Sequence, residues 1–314
     1  MTGALQWAID GRDWPNRSAS RFVKVGDLTW HVQQMGSGPL MLLLHGTGAS
    51  THTWRDLMPL LARHFTCVAV DLPGHAFTRV LDAPSTPPRH RSLRGMAAAI
   101  ARLMEQERMS PLHIVGHSAG AAIAAQLCLA EGLPAQSIVS LNGAFFPLPG
   151  LQGLLFPPMA RVMATNLLAP RLFAWQASSP AAVQRLLSQT GSRLDAKGEA
   201  LYASLVRNPV HVAAALGMMA GWDTRPLADR LPQLQQRLLL VAGDNDRIVS
   251  PSQSRQVRAL VTTAVVERIE RCGHLAHEEE PERLARRLGD WCLQGERAPA
   301  TPNASAAPDV AVSA

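Results

Sequence analysis

The sequence lacks paired cysteines. Cys67, Cys128, Cys272 and Cys292 are scattered, with no C-x-x-C among them. A disulfide framework and a four-ligand zinc site are excluded on that spacing, and no metal site is expected. Two of the four lie in apolar stretches, which fits reduced, buried thiols. Charge is also sparse. Thirty basic side chains, mostly arginine, against 24 acidic ones leave a net charge of +6. No basic stripe with interleaved aromatics is present, so nucleic acid is not an expected partner. The basic excess suits an anionic ligand, an acidic partner or peripheral contact with a membrane surface, although a solvated face accounts for it more simply. Residues Met1 to Arg21 carry Asp10, Arg12, Asp13, Arg17 and Arg21 in place of the apolar core of a signal peptide, so a cytoplasmic chain is expected. Long apolar runs are missing too. The nearest, Leu151 to Trp175, is broken by Pro157, Pro158 and Pro170 and carries Arg161 and Arg171. A membrane span wants about twenty uninterrupted apolar residues, so a buried or interfacial helix pair fits this segment better.

What is present is an alternation of short apolar runs and helical patterns. Residues 21–35 read as a hairpin turning at Gly26-Asp27. Strands are predicted at Met41–Leu44, Cys67–Val70, Leu112–Val115 and Ser137–Leu141, and later at Leu238–Val241 and Val265–Ile269. Helices are predicted at Thr53–Arg63, Leu93–Glu107, from Ser118 to Ala130, and at about Glu282–Leu293. Strands joined by crossover helices imply an α/β fold with a mostly parallel sheet and flanking helices. Between about residues 147 and 232 the pattern is only helical, as expected of a helical cap inserted between two strands of one sheet. The expected organisation is an N-terminal extension (1–20), a core in two pieces (21–146 and 233–294), the cap (147–232), and a tail (295–314). That tail carries too little apolar bulk to offset its ordering entropy and is expected to be disordered.

The residues able to do chemistry lie at the ends of predicted strands. Gly116-His117-Ser118-Ala119-Gly120 is a G-x-S-x-G sequence between a strand and a helix, where a serine can sit on a tight turn with its hydroxyl exposed. A serine needs a base, and the base needs an orienting acid. The candidate acid is Asp246, with Asp244 as the alternative two residues earlier. The candidate base is His274, with His277 as the less favoured alternative. The order Ser118, Asp246, His274 is the one expected of α/β-hydrolases. The loop His45-Gly46-Thr47-Gly48, after an early strand, is glycine-rich. It is assigned one of two oxyanion-hole N–H donors, that of Thr47, and the other is that of Ala119. No G-K-[ST] ending marks it as a phosphate loop.

With those residues in place, the chain resembles the α/β-hydrolase superfamily from about residue 20 to 294. Asp71-Leu72-Pro73-Gly74-His75 resembles the turn common in that superfamily after its fourth strand, with Ala76 where a glycine usually follows. Three further segments resemble one branch, the magnesium-chelatase-associated α/β-hydrolases of bacteriochlorophyll synthesis. They are Asp13-Trp14-Pro15-Asn16-Arg17, Trp30-His31-Val32-Gln33 and Leu141-Asn142-Gly143-Ala144-Phe145-Phe146-Pro147. The resemblance implies an accessory role at magnesium insertion into protoporphyrin IX, with magnesium-chelatase subunits as partners and no cofactor of its own.

Three functions follow as expectations. One is a serine hydrolase cleaving an ester, thioester or related acyl bond of a small molecule. Another is a non-catalytic factor that binds a porphyrin or a protein partner on a hydrolase scaffold. The third is a general carboxylesterase or a cofactor-free haloperoxidase-like enzyme. Ser118 argues against the branch that uses aspartate as nucleophile. Phe156, Met159, Met163, Leu167, Leu168, Phe173 and Trp175 could line a flat apolar pocket, although Met and Leu at helical spacing more simply pack the cap on its core. His211 is the cap's one histidine and is expected to be packed rather than ligating. The cluster Arg89-His90-Arg91 with Arg94 could meet porphyrin carboxylates or an anionic membrane, with a solvated loop as the plainer expectation.

Overall fold

The apolar runs of the sequence become the centre of one twisted sheet. The computed structural model describes residues 3–81, 88–147, 169–176 and 179–297. Nine strands are present among them: β1 (Ser20–Val25), β2 (Leu28–Met35), β3 (Leu40–Leu44), β4 (Thr66–Val70), β5 (Arg79–Val80), β6 (His113–His117), β7 (Ser137–Leu141), β8 (Arg237–Gly243) and β9 (Ala264–Ile269). Their spatial order is β1-β2-β4-β3-β6-β7-β8-β9, with β5 paired to β2. The β1–β2 hairpin turns at Gly26-Asp27 and joins β4 antiparallel, while every pairing from β4 through β9 is parallel.

Alternation along each strand divides the core into two layers, because successive side chains point to opposite faces. Leu42 and Leu44, Val68 and Val70, Ile114, Ile138, and Leu238 and Leu240 pack on one side under the helices Leu93–Gln106 and Ala119–Ala130. Met41 and Leu43, Cys67 and Ala69, Val115, Val139 and Leu141, and Leu239 and Val241 pack on the other side. There they meet Leu57, Met58 and Leu61 and the final helix, Pro281–Arg297, through Leu284, Leu288 and Trp291. Cover on both faces is why the central strands read as unbroken apolar runs.

Two elements differ from the sequence expectation. The single helix over Thr53–Arg63 is a 3-10 turn, Thr51–Trp54, followed by a short α-helix, Leu57–Leu61. Pro59 lies in the first turn of that helix, where a missing N–H costs nothing; in one continuous helix its ring would meet the carbonyl of Arg55. An unpredicted helix, Ser252–Leu260, has only Gln253 and Val257 buried, too little apolar signal to reveal a period. The last helix runs to Arg297, and residues 298–314 of the expected tail lie outside the described residues.

Between β7 and β8 the described residues form four helices of eight residues or more: Ala169–Gln176, Pro180–Ser188, Ala196–Val206 and Pro209–Gly221. Three of them start on side-chain caps. The side chains of Ser179, Asp195 and Asn208 accept N–H groups of the first turn, and Pro180 and Pro209 take the first helical position. Phe156, Met159, Met163, Leu167 and Leu168 lie outside the described residues, as does the side chain of Phe173. Trp175 is 72% exposed, on the outer surface, and does not line an enclosed pocket. No described helix is long and apolar enough to cross a membrane. All four cysteines are free, and burial pushes the Cys67 thiol up to about 12.

Candidate active site

The serine of the pentapeptide sits where strand becomes helix. Ser118 has φ 52° and ψ −117°, and the helix Ala119–Ala130 begins at the next residue. Such a conformation costs an L-residue on the order of 1–3 kcal/mol and persists only where its surroundings hold it. Three backbone hydrogen bonds do so. Ser118 N–H donates to the Leu141 carbonyl (2.9 Å), and its own carbonyl accepts from Ala121 N–H and Ala144 N–H (3.1 Å each). The two glycines are required by close approach. A Cβ on Gly116 would lie 2.4 Å from the Gly120 carbonyl, and one on Gly120 would lie 2.1 Å from the Leu44 carbonyl oxygen.

His274 and Asp246 meet at the carboxyl ends of β9 and β8. His274 Nδ1–H donates to Asp246 Oδ2 at 2.8 Å, which leaves Nε2 as the acceptor. Asp246 is 8% exposed. Oδ2 also accepts from Asn142 Nδ2 (2.7 Å), and Oδ1 accepts from the N–H groups of Ile248 (2.8 Å) and Val249 (2.9 Å). Its orientation is therefore set by four donors. Asp244 instead makes an ion pair with Arg268 (2.7 Å). His277 is turned away from Asp246 and meets Thr53 Oγ1 at 2.6 Å. Burial lowers His277 to about 3, so it is a neutral partner.

The segments after β3 and β6 lie side by side. A Cβ on Gly46 would come within 3.0 Å of Ser118 Cβ. His45 bridges this loop to the turn after β4: Nδ1–H donates to the Gly46 carbonyl (2.7 Å) and Nε2 accepts Leu72 N–H (2.9 Å). Because a trans peptide points its N–H opposite its C=O, a Gly46 carbonyl drawn toward His45 turns the Thr47 N–H the other way. Among the described residues neither Thr47 N–H nor Ala119 N–H has an acceptor. Burial lowers His45, which stays in the neutral form this bridge needs.

Several contributors were not assigned from sequence. Asn142 orients Asp246 from the end of β7; its signal was a polar residue directly after an apolar strand, in a segment already singled out. His117 lies inside the pentapeptide, and its Nε2–H donates to the His274 carbonyl (2.9 Å). From the helical segment between β7 and β8, Thr190 and Ser192 hold the loop at His274. His274 N–H donates to the Thr190 carbonyl (3.1 Å) and Leu275 N–H to Ser192 Oγ (2.8 Å). No sequence signal marked these two.

The remaining motifs have structural partners. Gln33 Nε2 donates to the carbonyls of Pro15 (2.7 Å) and Asn16 (3.3 Å), which ties two of the unusual segments to one another. His31 Nδ1 pairs with Asp71 Oδ2 (2.8 Å) in the interior. Burial raises an isolated carboxyl, but His31 and the Thr51 N–H outweigh it and lower Asp71 to about 2. Asp27 takes both Arg89 and His90, so these two side chains of the basic cluster are paired. His211 is buried, as expected. No group of three or more potential metal ligands occurs among the described residues.

An antiparallel hairpin leading into a parallel sheet, a serine on a strained strand-to-helix turn and a histidine–aspartate pair at the same sheet edge define a class. The chain belongs to the alpha/beta hydrolase fold family, whose model matches residues 39–281. Within that family it is similar to the magnesium-chelatase 30 kDa subunit of Rhodobacter capsulatus. The two are 37% identical over 285 residues, covering 90% of this chain and 97% of that protein. It is also 27% identical, over 304 residues, to 2-hydroxy-6-oxononadienedioate/2-hydroxy-6-oxononatrienedioate hydrolase 2 of Pseudomonas putida, covering 89% and 98% of the two chains. Among solved structures, an esterase from Exiguobacterium antarcticum superposes with a TM-score of 0.70 at 16% identity, over 87% of this chain and 98% of that one. This last likeness is one of fold.

Proposed function

We propose that the chain is a serine hydrolase of acyl esters or related acyl bonds, working as an accessory protein at the magnesium-chelation step of bacteriochlorophyll synthesis. The observation that carries the chemical half is the 2.8 Å bond from His274 Nδ1 to Asp246, at the same carboxyl edge of the sheet as a serine held at φ 52°. In this reading Ser118, at that edge, closes on His274 when substrate binds; Oγ attacks the acyl carbonyl while His274 Nε2 takes its proton. Asp246 stabilises the resulting imidazolium without itself being protonated. The oxyanion accepts hydrogen bonds from Ala119 N–H and Thr47 N–H. Collapse expels the alcohol or thiol, which His274 protonates, and a water then cleaves the acyl-enzyme by the same route.

The pathway half is supported by the 37% identity to a chelatase subunit. It implies magnesium-chelatase subunits as partners, a porphyrin or a small acyl compound as ligand, and a cytoplasmic location with peripheral membrane contact. The same similarity favours a second reading, in which the scaffold binds porphyrin or a partner without turnover. A fluorophosphonate separates the two. Covalent labelling of the wild type and none of Ser118→Ala is expected, and an unlabelled wild type would sink the catalytic reading. Absorbance titration with protoporphyrin IX tests direct binding, and unchanged spectra would count against it.

A further inference from the structure

We propose that His211, a cap residue outside the triad, is a positioning residue for the oxyanion hole. The proposal rests on the serine-hydrolase reading above and concerns how its Thr47 donor is held.

His211 is 2% exposed and lies in the first turn of the helix Pro209–Gly221. Asn208 caps that turn, and its Oδ1 accepts the N–H groups of Val210 and His211, so the base of the side chain is fixed. The ring makes two directional bonds. Nε2–H donates to the Gly48 carbonyl at 3.0 Å, and Nδ1 accepts Ala76 N–H at 3.0 Å. One neutral tautomer satisfies both partners, and burial keeps the ring neutral by lowering it to about 4.

Two further residues of the same helix face lie on the same loop. Side chains at i, i+4 and i+7 share one face of a helix. Ala215 Cβ lies 4.0 Å from where a Cβ on Gly48 would be, and Met218 Sδ accepts the Thr47 hydroxyl at 3.4 Å. His211, Ala215 and Met218 thus seat one stripe of the cap on Thr47 and Gly48. His45 holds the Gly46 end of the turn from the core, and His211 holds the Gly48 end from the cap. The Thr47 N–H belongs to the Gly46 peptide that His45 holds, and His211 fixes the carbonyl of the residue that follows Thr47.

The same ring also holds the backbone at Ala76. Ala76 has φ 42°, in the left-handed region that is unfavourable for an L-residue. Its N–H is held by His211 Nδ1. His211 therefore has a structural effect, on Ala76, and a positioning effect, on Thr47, and the two can be separated.

The test measures inactivation by a fluorophosphonate in wild type, His211→Gln, His211→Leu and the double variant His211→Leu/Ala76→Gly. The rate is split into kinact and KI, with melting followed by circular dichroism. Complete loss of one oxyanion donor costs about 100- to 1,000-fold in related chemistry, and a displaced donor costs less. His211→Leu is expected to lower kinact by about tenfold or more with KI within about twofold. His211→Gln, which keeps one donor and one acceptor, recovers most of kinact. Ala76→Gly restores part of the lost melting temperature without restoring kinact. Unchanged kinact in a folded His211→Leu overturns the proposal. Recovery of kinact together with stability in the double variant overturns it as well, because the role is then only structural. A wild type that resists the reagent overturns the hydrolase reading and the proposal with it.

Discussion

His117 and His274 are joined directly. The Nε2–H of His117, the residue before Ser118, donates to the His274 backbone carbonyl across 2.9 Å, and the two rings lie 4.8 Å apart. Burial, then the neighbouring His277 and His274, lower His117 well below the usual histidine range, so it stays neutral. Its other nitrogen is buried without a partner, close to where Gly46 passes. His117→Phe removes the strap but keeps the bulk. Fluorophosphonate labelling should slow by up to about 100-fold, as a displacement of about 1 Å can cost, while His117→Gln should lose less. Equal labelling rates in all three proteins would contradict the strap.

Asp246→Asn tests the acid. Asp246 accepts from Asn142, Ile248 and Val249 as well as His274, so an amide NH2 placed there faces a donor in either orientation. The imidazole loses the partner that holds its Nδ1–H tautomer. Labelling should fall by roughly 1,000- to 10,000-fold with the fold retained. Asp244→Asn, on the Arg268 side, should label at the wild-type rate. The reverse pattern would move the acid to Asp244.

The buried pair Arg55–Glu278 should dominate local stability near the base. Glu278 also accepts from Thr53 and Tyr202, so its charge is shared among three donors in the interior. Among the described residues, Glu278→Ala leaves the guanidinium with the largely solvated carboxylates of Asp56 and Asp195, about half and two-thirds exposed. A loss of about 3–5 kcal/mol in chemical denaturation is expected, and an apolar replacement of both partners should recover most of it. A single variant with unchanged stability would contradict this.

Acid should destabilise the fold in two stages. His277 is lowered to about 3 and His211 to about 4, both by burial. A lowered histidine contributes stability that is fully present above its unfolded value near 6.5, and that stability is lost as pH falls toward the folded value. Asp71, lowered to about 2, contributes stability that is present above about 4 and lost between about 4 and 2. The melting temperature should therefore decline from about pH 7 to pH 4 and decline further below. His277→Gln should flatten the upper stage. A flat profile between pH 7 and 5 in the wild type would contradict the assignment of these histidines as neutral.

Most of the core was legible because its signals are local. The runs at residues 40–44, 137–141 and 237–243 are apolar because both faces are covered, and the hairpin is marked by Gly26-Asp27 between alternating residues. Gly116 and Gly120 flank Ser118 because strand and helix backbones touch there, and that requirement is written in five consecutive residues. The break at Pro59 and the polar helix Ser252–Leu260 were not legible, since propensity and period are weak over so few turns.

Sequence alone determined the fold class and a short list of chemically able residues at strand ends: Ser118, Asp246, His274 and the loop at Thr47. Tertiary structure alone decided which of two aspartates faces His274 and which residues hold the parts together. Asp244 and Asp246 are two residues apart, and only the turn after β8 sends one to Arg268 and the other to His274. His117 reaches a carbonyl 157 residues away, and His211 reaches an N–H 135 residues away. A hydrogen bond depends on direction and distance in space. Residues so far apart in the chain carry no local pattern that reveals it.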